Sequence, residues 1–570
     1  MERTSPFPVL VRHFFLRLFN NDFIALEDQM KEKTVSFLAL VAILSAHIAN
    51  SVLMKYMFVP DDGISWVEKC YFISFVMLLL GFITVFEWDV IFPDARDFAN
   101  LFTLPVKLKM IFASKFTSLC LFIGLFALGT NAISVLAFWF HLIPWQANQG
   151  LLFSLFFIFV HFVSLITACF FVFFFFVFAI GALMVIFPEK IFRALSLFFR
   201  TVLMIFCVFL MVYIILDSFT SSPYFNSLPA LKANNSLSFY LFPPMWFTGL
   251  YESLLGNNDP QFGTCSSIAL ISLIVVICGF FICAALGYKK YCRTMDIKQK
   301  RSSLFTGPKN ILIRLFHSVW LRNPIQRAVF HFVGKTLRFS MVHKMRLAIF
   351  IALGVSLELI LLISKAQDIN SISLPNSTIL TVPMILTVFL LIGMRSVVNI
   401  PKSLEANWIF RITEEHSLNH YVSGLRKGIM FYILFPLFFL VFMFFSFLFG
   451  WGIGFLHSLY GVVLGGLFIE VLFLRFHKIP FACSYLPGKA KVHLFWLVYF
   501  LAFILYVSLI SKVELVFLQK PSLFFLFLGI SFFTFLGLRI YQNNYLFNKW
   551  QIIYEDKPDP VMVTLLLDEN

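Results

Sequence analysis

Three kinds of side-chain arrangement in the chain have residue types suited to chemistry. Gly334-Lys335-Thr336 ends like a phosphate-cradling loop. That loop, G-x-x-x-x-G-K-[ST], needs its first glycine where Val329 stands, and the flanking Phe332-Val333 and Leu337-Arg338 suit an amphipathic interfacial helix better. In Glu414-Glu415-His416-Ser417-Leu418-Asn419-His420 two histidines share one helical face, as metal ligands do. A zincin helix carries glutamate directly after the first histidine; Ser417 stands there, so a solvated charged helix is the expectation. Finally, Glu358, Glu470 and His161 sit within long apolar runs. Ionisable groups in a bilayer are costly and often functional. Each either lines a polar path or pairs with a neighbouring helix. Pairing is the reading for Glu470 and His161, and both stay open for Glu358. The nine cysteines are scattered without C-x-x-C spacing, which excludes a recognisable zinc or disulfide framework. No catalytic residue, metal or cofactor is assigned to the chain itself.

The elements that must carry these groups follow from composition. Of the 570 residues, 60% are hydrophobic, 13% are charged and 79 are phenylalanine, with a mean hydropathy of +0.89. A soluble chain cannot hide that much apolar surface. The runs are continuous rather than alternating, so the spans are helices and not barrel strands. The expected spans are 35–58, 69–92, 112–142, 151–187, 198–216, 265–287, 346–365, 378–397, 429–450, 455–475, 493–511 and 522–540. The fold class is all-α: a polytopic integral membrane protein of about twelve spanning helices. At 37 residues, 151–187 is too long for one perpendicular span; it bends near Gly181, runs past the bilayer or holds a re-entrant piece. The run 170–178, rich in phenylalanine, reads as packing or lipid-facing surface. Acidic residues precede the first apolar run, so a cleaved signal is not expected and the first span serves for insertion.

With the N-terminus inside, every lysine and arginine except Lys55, Lys69, Lys232, Lys365, Lys512 and Lys520 falls on cytoplasmic segments or helix ends. Both termini are therefore expected in the cytoplasm. The net charge of +15 then answers to anionic lipid, with no need of nucleic acid. Near the midpoint, the segment from 288 to Arg346 holds fourteen basic residues against Asp296 alone. The domains read as a first transmembrane half at 1–288, a basic linker at 289–345 and a second half at 346–570, six helices in each half. An amphipathic stretch precedes the first span of each half (9–23 and 310–340), and a polar segment follows the second (93–114 and 401–427). This pattern suggests a divergent parallel repeat.

In Pro93-Asp94-Ala95-Arg96-Asp97-Phe98, Asp94 is placed to cap a short surface helix and Asp97 to favour its dipole, with Phe98, Leu101 and Phe102 as its apolar stripe. Phe92-Pro93-Asp94-x-Arg96-Asp97, then Leu104-Pro105-Val106 and Lys115, resembles permease subunits of bacterial ABC exporters of the type-2 class. Similar patches are Phe242-Pro243-Pro244-Met245-Trp246-Phe247-x-Gly249-Leu250-Tyr251-Glu252, Ala406-Asn407-Trp408-Ile409-Phe410-Arg411 and Lys478-Ile479-Pro480-Phe481. The resemblance spans most of the chain through short motifs. It implies that Asp94, Arg96 and Asp97 couple to one separate ABC ATPase subunit and Glu405, Arg411, Glu414 and Glu415 to a second. It also implies ATP and Mg bound by those partners, a place in the bacterial inner membrane, and an extracellular gate region in 219–264 that includes Pro243, Pro244, Trp246, Tyr251 and Glu252. An amphipathic or lipid-like cargo suits the phenylalanine-rich bundle.

Two other classes compete. An ion-coupled secondary transporter also favours six-plus-six helices, although 93–105 lacks the glycine framework G-x-x-x-D-R-x-G-R-R of the major facilitator class. A membrane-embedded lipid-modifying enzyme needs acids, histidines or a nucleophile converging at one depth, and no such spacing is visible.

Overall fold

The computed structural model describes residues 6–19, 30–57, 65–86, 108–142, 150–217, 223–295, 320–364, 376–401, 418–476, 478–482 and 496–547. The chain forms two compact units, Met1–Lys300 and Arg301–Asn570. Ten helices among the described residues are long and apolar enough to cross a membrane. Met30–Leu53 and Trp496–Gln519 are helices at the other two expected positions.

The first unit begins with α1 (Pro6–Phe19), whose Leu10 and Phe14 are one turn apart and bury against Ile111. The six long helices are α2 (Met30–Leu53), α3 (Trp66–Phe86), α4 (Leu108–Leu142), α5 (Leu151–Ile186), α6 (Glu189–Asp217) and α10 (Pro260–Met295). Three short helices, α7 (Pro223–Ala233), α8 (Leu237–Leu241) and α9 (Pro243–Leu254), connect the last two. The chain stays helical through Gly181, with no break there. α5 is one continuous helix, about 54 Å long and therefore longer than a bilayer's hydrocarbon core. Gly181 lies against the Cβ of Cys283 on α10, so the position is packed rather than hinged. The phenylalanine run is chiefly packing surface: Phe171, Phe173, Phe174 and Phe176 are buried and Phe175 is exposed. Phe176 fills the space over Gly81 and Phe178 that over Gly279, where any Cβ would collide.

The second unit holds α11 (Pro324–Phe339), α12 (Met341–Ser364), α13 (Ser377–Val398), α14 (Leu418–Ile429), α15 (Phe435–Phe449), α16 (Trp451–Leu472), α17 (Trp496–Gln519) and α18 (Pro521–Tyr541). Asn323 caps α11 by accepting the Ile325 N–H at 2.8 Å, with Pro324 in the first turn. Although α11 falls within the stretch read as a linker, it packs on α14, where a Cβ on Gly424 would meet the Gln326 carbonyl. A π turn, Met430–Leu434, joins α14 to α15. Pro436 has no N–H to offer the carbonyl four residues back, which accounts for the break. Gly450, at φ 89°, makes the turn from α15 into α16. Gly454, Gly461 and Gly465 then let α16 close on Ser446, Phe438 and Leu434.

The two units share an order of packing. In each, the amphipathic helix rests on the start of the third long helix (α1 on α4, α11 on α14). The second helix packs on the fourth and fifth (α3 on α5 and α6, α13 on α16 and α17), the third on the fourth, and the fourth on the sixth. The first helix breaks the pattern: α2 lies mainly on α4, whereas α12 lies on α13.

Candidate functional site

In the first unit the polar groups collect where α9 meets the N-terminal end of α3. Glu68, in the first turn of α3, accepts the Tyr56 hydroxyl at 2.8 Å and pairs with Lys55. The next residue, Lys69, reaches Glu252 of α9 at 2.6 Å with both side chains buried, and its Nζ lies 4.9 Å from the Tyr251 ring centroid. Glu252 also accepts from Asn257 at 3.2 Å. The Tyr251 hydroxyl meets His161 Nδ1 of α5 at 3.3 Å, and His161 is flanked by Phe72 and Phe138. Burial, with the Glu252 carboxylate adding to it, pushes the Tyr251 phenol well above its ordinary range.

Of the residues anticipated for an outer gate, Pro243 and Pro244 open α9. Trp246 donates its indole N–H to the Tyr240 carbonyl at 2.6 Å and packs on Phe171. Tyr251 and Glu252 turn inward, so α9 is tied to α3 by a buried ion pair and to α5 by a buried hydrogen bond. The arrangement clamps a short helical cap onto the bundle.

In the second unit Glu470, near the C-terminal end of α16, does pair with neighbouring helices. Arg426 of α14 meets it at 2.6 Å and Arg539 of α18 at 3.2 Å. Arg426 and Gln542 also donate to the Phe473 carbonyl, satisfying the frayed end of α16. Glu358 of α12 is buried, its Oε1 has no hydrogen-bond partner, and no described ionisable side chain pairs with it. Gly334-Lys335-Thr336 lies within α11, with Gly334 against Tyr432 and Thr336 buried, so it is helix and not a loop. His420 bonds Gln326 at 3.3 Å. In the Lys478–Phe481 patch, Ile479 and Phe481 are core residues, and the Phe481 N–H is donated to the Val398 carbonyl at 3.0 Å.

The anticipated coupling residues Asp94, Arg96, Asp97, Glu405, Arg411, Glu414 and Glu415 lie outside the described residues, as does His416. Neither member of a further pair was singled out from the sequence: His457 of α16 and Glu514 of α17, joined at 2.5 Å and almost wholly buried. Glu514 stands beyond the expected end of its span at 511 but inside α17, and an acid three residues past an apolar run was the available signal.

These features define an all-α, multi-span membrane protein of two compact units. Compared with family models, with curated proteins and with solved structures, the chain matches none of them.

Proposed function

We propose that the chain is the membrane-spanning permease of an ATP-driven exporter in a plasma membrane. Separate cytoplasmic ABC ATPase subunits, one per half, bind ATP and Mg and rock the halves between inward- and outward-facing states. The observation that carries this reading is the order of packing common to both units, including an amphipathic helix seated on the start of the third helix. Two similar halves are what alternating access uses. The cap α7–α9, clamped through Lys69 and Glu252, suits an outer gate. Asp94, Arg96 and Asp97, with Glu405, Arg411, Glu414 and Glu415, are the proposed contacts to the ATPases, and the termini are cytoplasmic. The cargo is amphipathic or lipid-like, in keeping with the aromatic bundle.

Purification of the tagged chain in mild detergent tests this. A stoichiometric ATPase is expected to co-purify and to be lost when Asp94, Arg96 and Asp97 are replaced by alanine. A chain that purifies alone and transports in a proton gradient overturns it. That outcome belongs to the ion-coupled alternative, which the buried His457–Glu514 pair favours.

A further inference from the structure

We propose that His457 and Glu514 form a proton-binding site inside the second unit. The site does not depend on the exporter reading, and four of its features point to a proton.

First, the side chains are 0% and 2% exposed and meet at 2.5 Å, joining α16 to α17. Desolvating two charges is expensive unless they compensate each other, and a pair that shares one proton is neutral overall. Second, among the described residues no other buried charge is placed to compensate them, Lys512 and Lys520 being exposed. α15, which covers His457 with Phe445 at 4.2 Å, has no ionisable side chain. α13 offers only Arg395, which stands over Phe473 and Phe476 beyond the far end of α16. On α18 the cation is Arg539, engaged by Glu470. On α17 itself Lys512 is exposed. The phenols nearby are Tyr506 of α17 and Tyr460 of α16, whose hydroxyl is donated to the Ile510 carbonyl at 3.2 Å.

Third, the pair is incompletely used. Glu514 Oε2 and His457 Nε2 are both buried without a hydrogen-bond partner. A buried carboxylate short of donors is unfavourable, and a proton taken up by the carboxyl–imidazole pair removes its charge. Fourth, Glu514 lines a small cleft with Leu456, Tyr460, Phe517, Leu518 and Phe524. That cleft has no room for a water-sized ligand, so what reaches the carboxylate is smaller than a water molecule or a hydrated ion. Among the described residues no three His, Cys, Asp or Glu side chains come together to hold a metal ion. The ligand class is therefore the proton.

Uptake balances simply. Hydronium at the mouth of the cleft gives up its proton and becomes water, the proton is held between Glu514 and His457 Nδ1, and the site passes from a single negative charge to neutral. The two groups titrate as one coupled unit.

The test uses the full chain in lipid nanodiscs, with the proton as the only ligand. Infrared difference spectra on acidification are expected to show a carboxylic-acid C=O band that Glu514→Gln abolishes and His457→Gln displaces along the pH axis. A set of carboxyl bands that E514Q leaves intact overturns the proposal. Because E514Q can fail to fold, the unsubstituted protein labelled with 15N-histidine gives a second reading. The His457 ring nitrogens, assigned by their loss in H457Q, are expected to shift over the same pH range. Ring signals that stay constant while the protein remains folded overturn the site.

Discussion

His161 and His457 each stand on the fourth long helix of their unit, each is buried, and each has Nε2 without a partner while Nδ1 is engaged. What differs is the group on Nδ1. In the first unit it is the phenol of Tyr251, held on the cap helix α9; in the second it is the carboxylate of Glu514, held on α17. A phenol gives His161 a positioning contact, whereas a carboxylate gives His457 a partner in proton exchange. The remaining charge is also distributed differently. The first unit places its buried ion pair, Lys69–Glu252, where the cap meets α3. The second places Arg426–Glu470–Arg539 near the C-terminal end of α16. Units with one order of packing therefore devote their polar groups to different tasks: securing a cap in one, tying helix ends and holding a proton in the other.

The largest effect is expected from breaking the second unit's triad. Glu470→Ala leaves the buried Arg426 guanidinium without its carboxylate, a loss of about 3–5 kcal/mol. Thermal unfolding in detergent is expected to show a large drop or no folded protein. A variant as stable as the parent would mean that this triad contributes nothing to the unit.

Next is the cap clamp. Lys69→Met strands Glu252, which keeps only Asn257, at a cost of about 2–4 kcal/mol. Adding Glu252→Gln removes the stranded charge, and the double variant is expected to recover most of the loss. Equal destabilisation by the single and double variants would show that the pair does not act as a buried ion pair.

The contrast between the halves was only partly legible in the sequence. Helix positions follow from apolar runs, because a bilayer admits no other use for some 20 consecutive apolar residues. Partners do not, because pairing is made between helices. Lys69 and Glu252 are 183 positions apart, and His457 and Glu514 are 57 apart. Lys69 read as one more basic residue outside the bilayer, and its descent between α3 and α9 depends on packing that no local pattern encodes. Glu470 was visible as a buried acid, but Arg475, five residues on, was nearer in sequence than its actual partners on α14 and α18. A bend near Gly181 was one of three readings of 151–187, and the Cys283 side chain that packs on Gly181 comes from α10, out of reach of any local pattern.

The smallest effect concerns the outer margin of the same cap. Lys232 of α7 pairs with Asp259 at 2.6 Å and lies 3.9 Å from the Phe262 ring centroid, while Asp259 also accepts the Gln261 N–H at 2.9 Å. The hydrogen bond from Lys232 holds the Asp259 carboxyl below its ordinary value. A carboxyl lowered by folding contributes stability above its unfolded value of about 4, and that contribution fades as pH falls through the folded value. The pair is partly exposed, so the contribution is no more than about 1 kcal/mol. Hydrogen exchange in α7 is expected to quicken on acidification below the ordinary carboxylate range and to lose that step in Asp259→Asn. If Asp259→Asn keeps the step, the acid response of the cap arises elsewhere, and the Lys69–Glu252 clamp becomes the group to titrate.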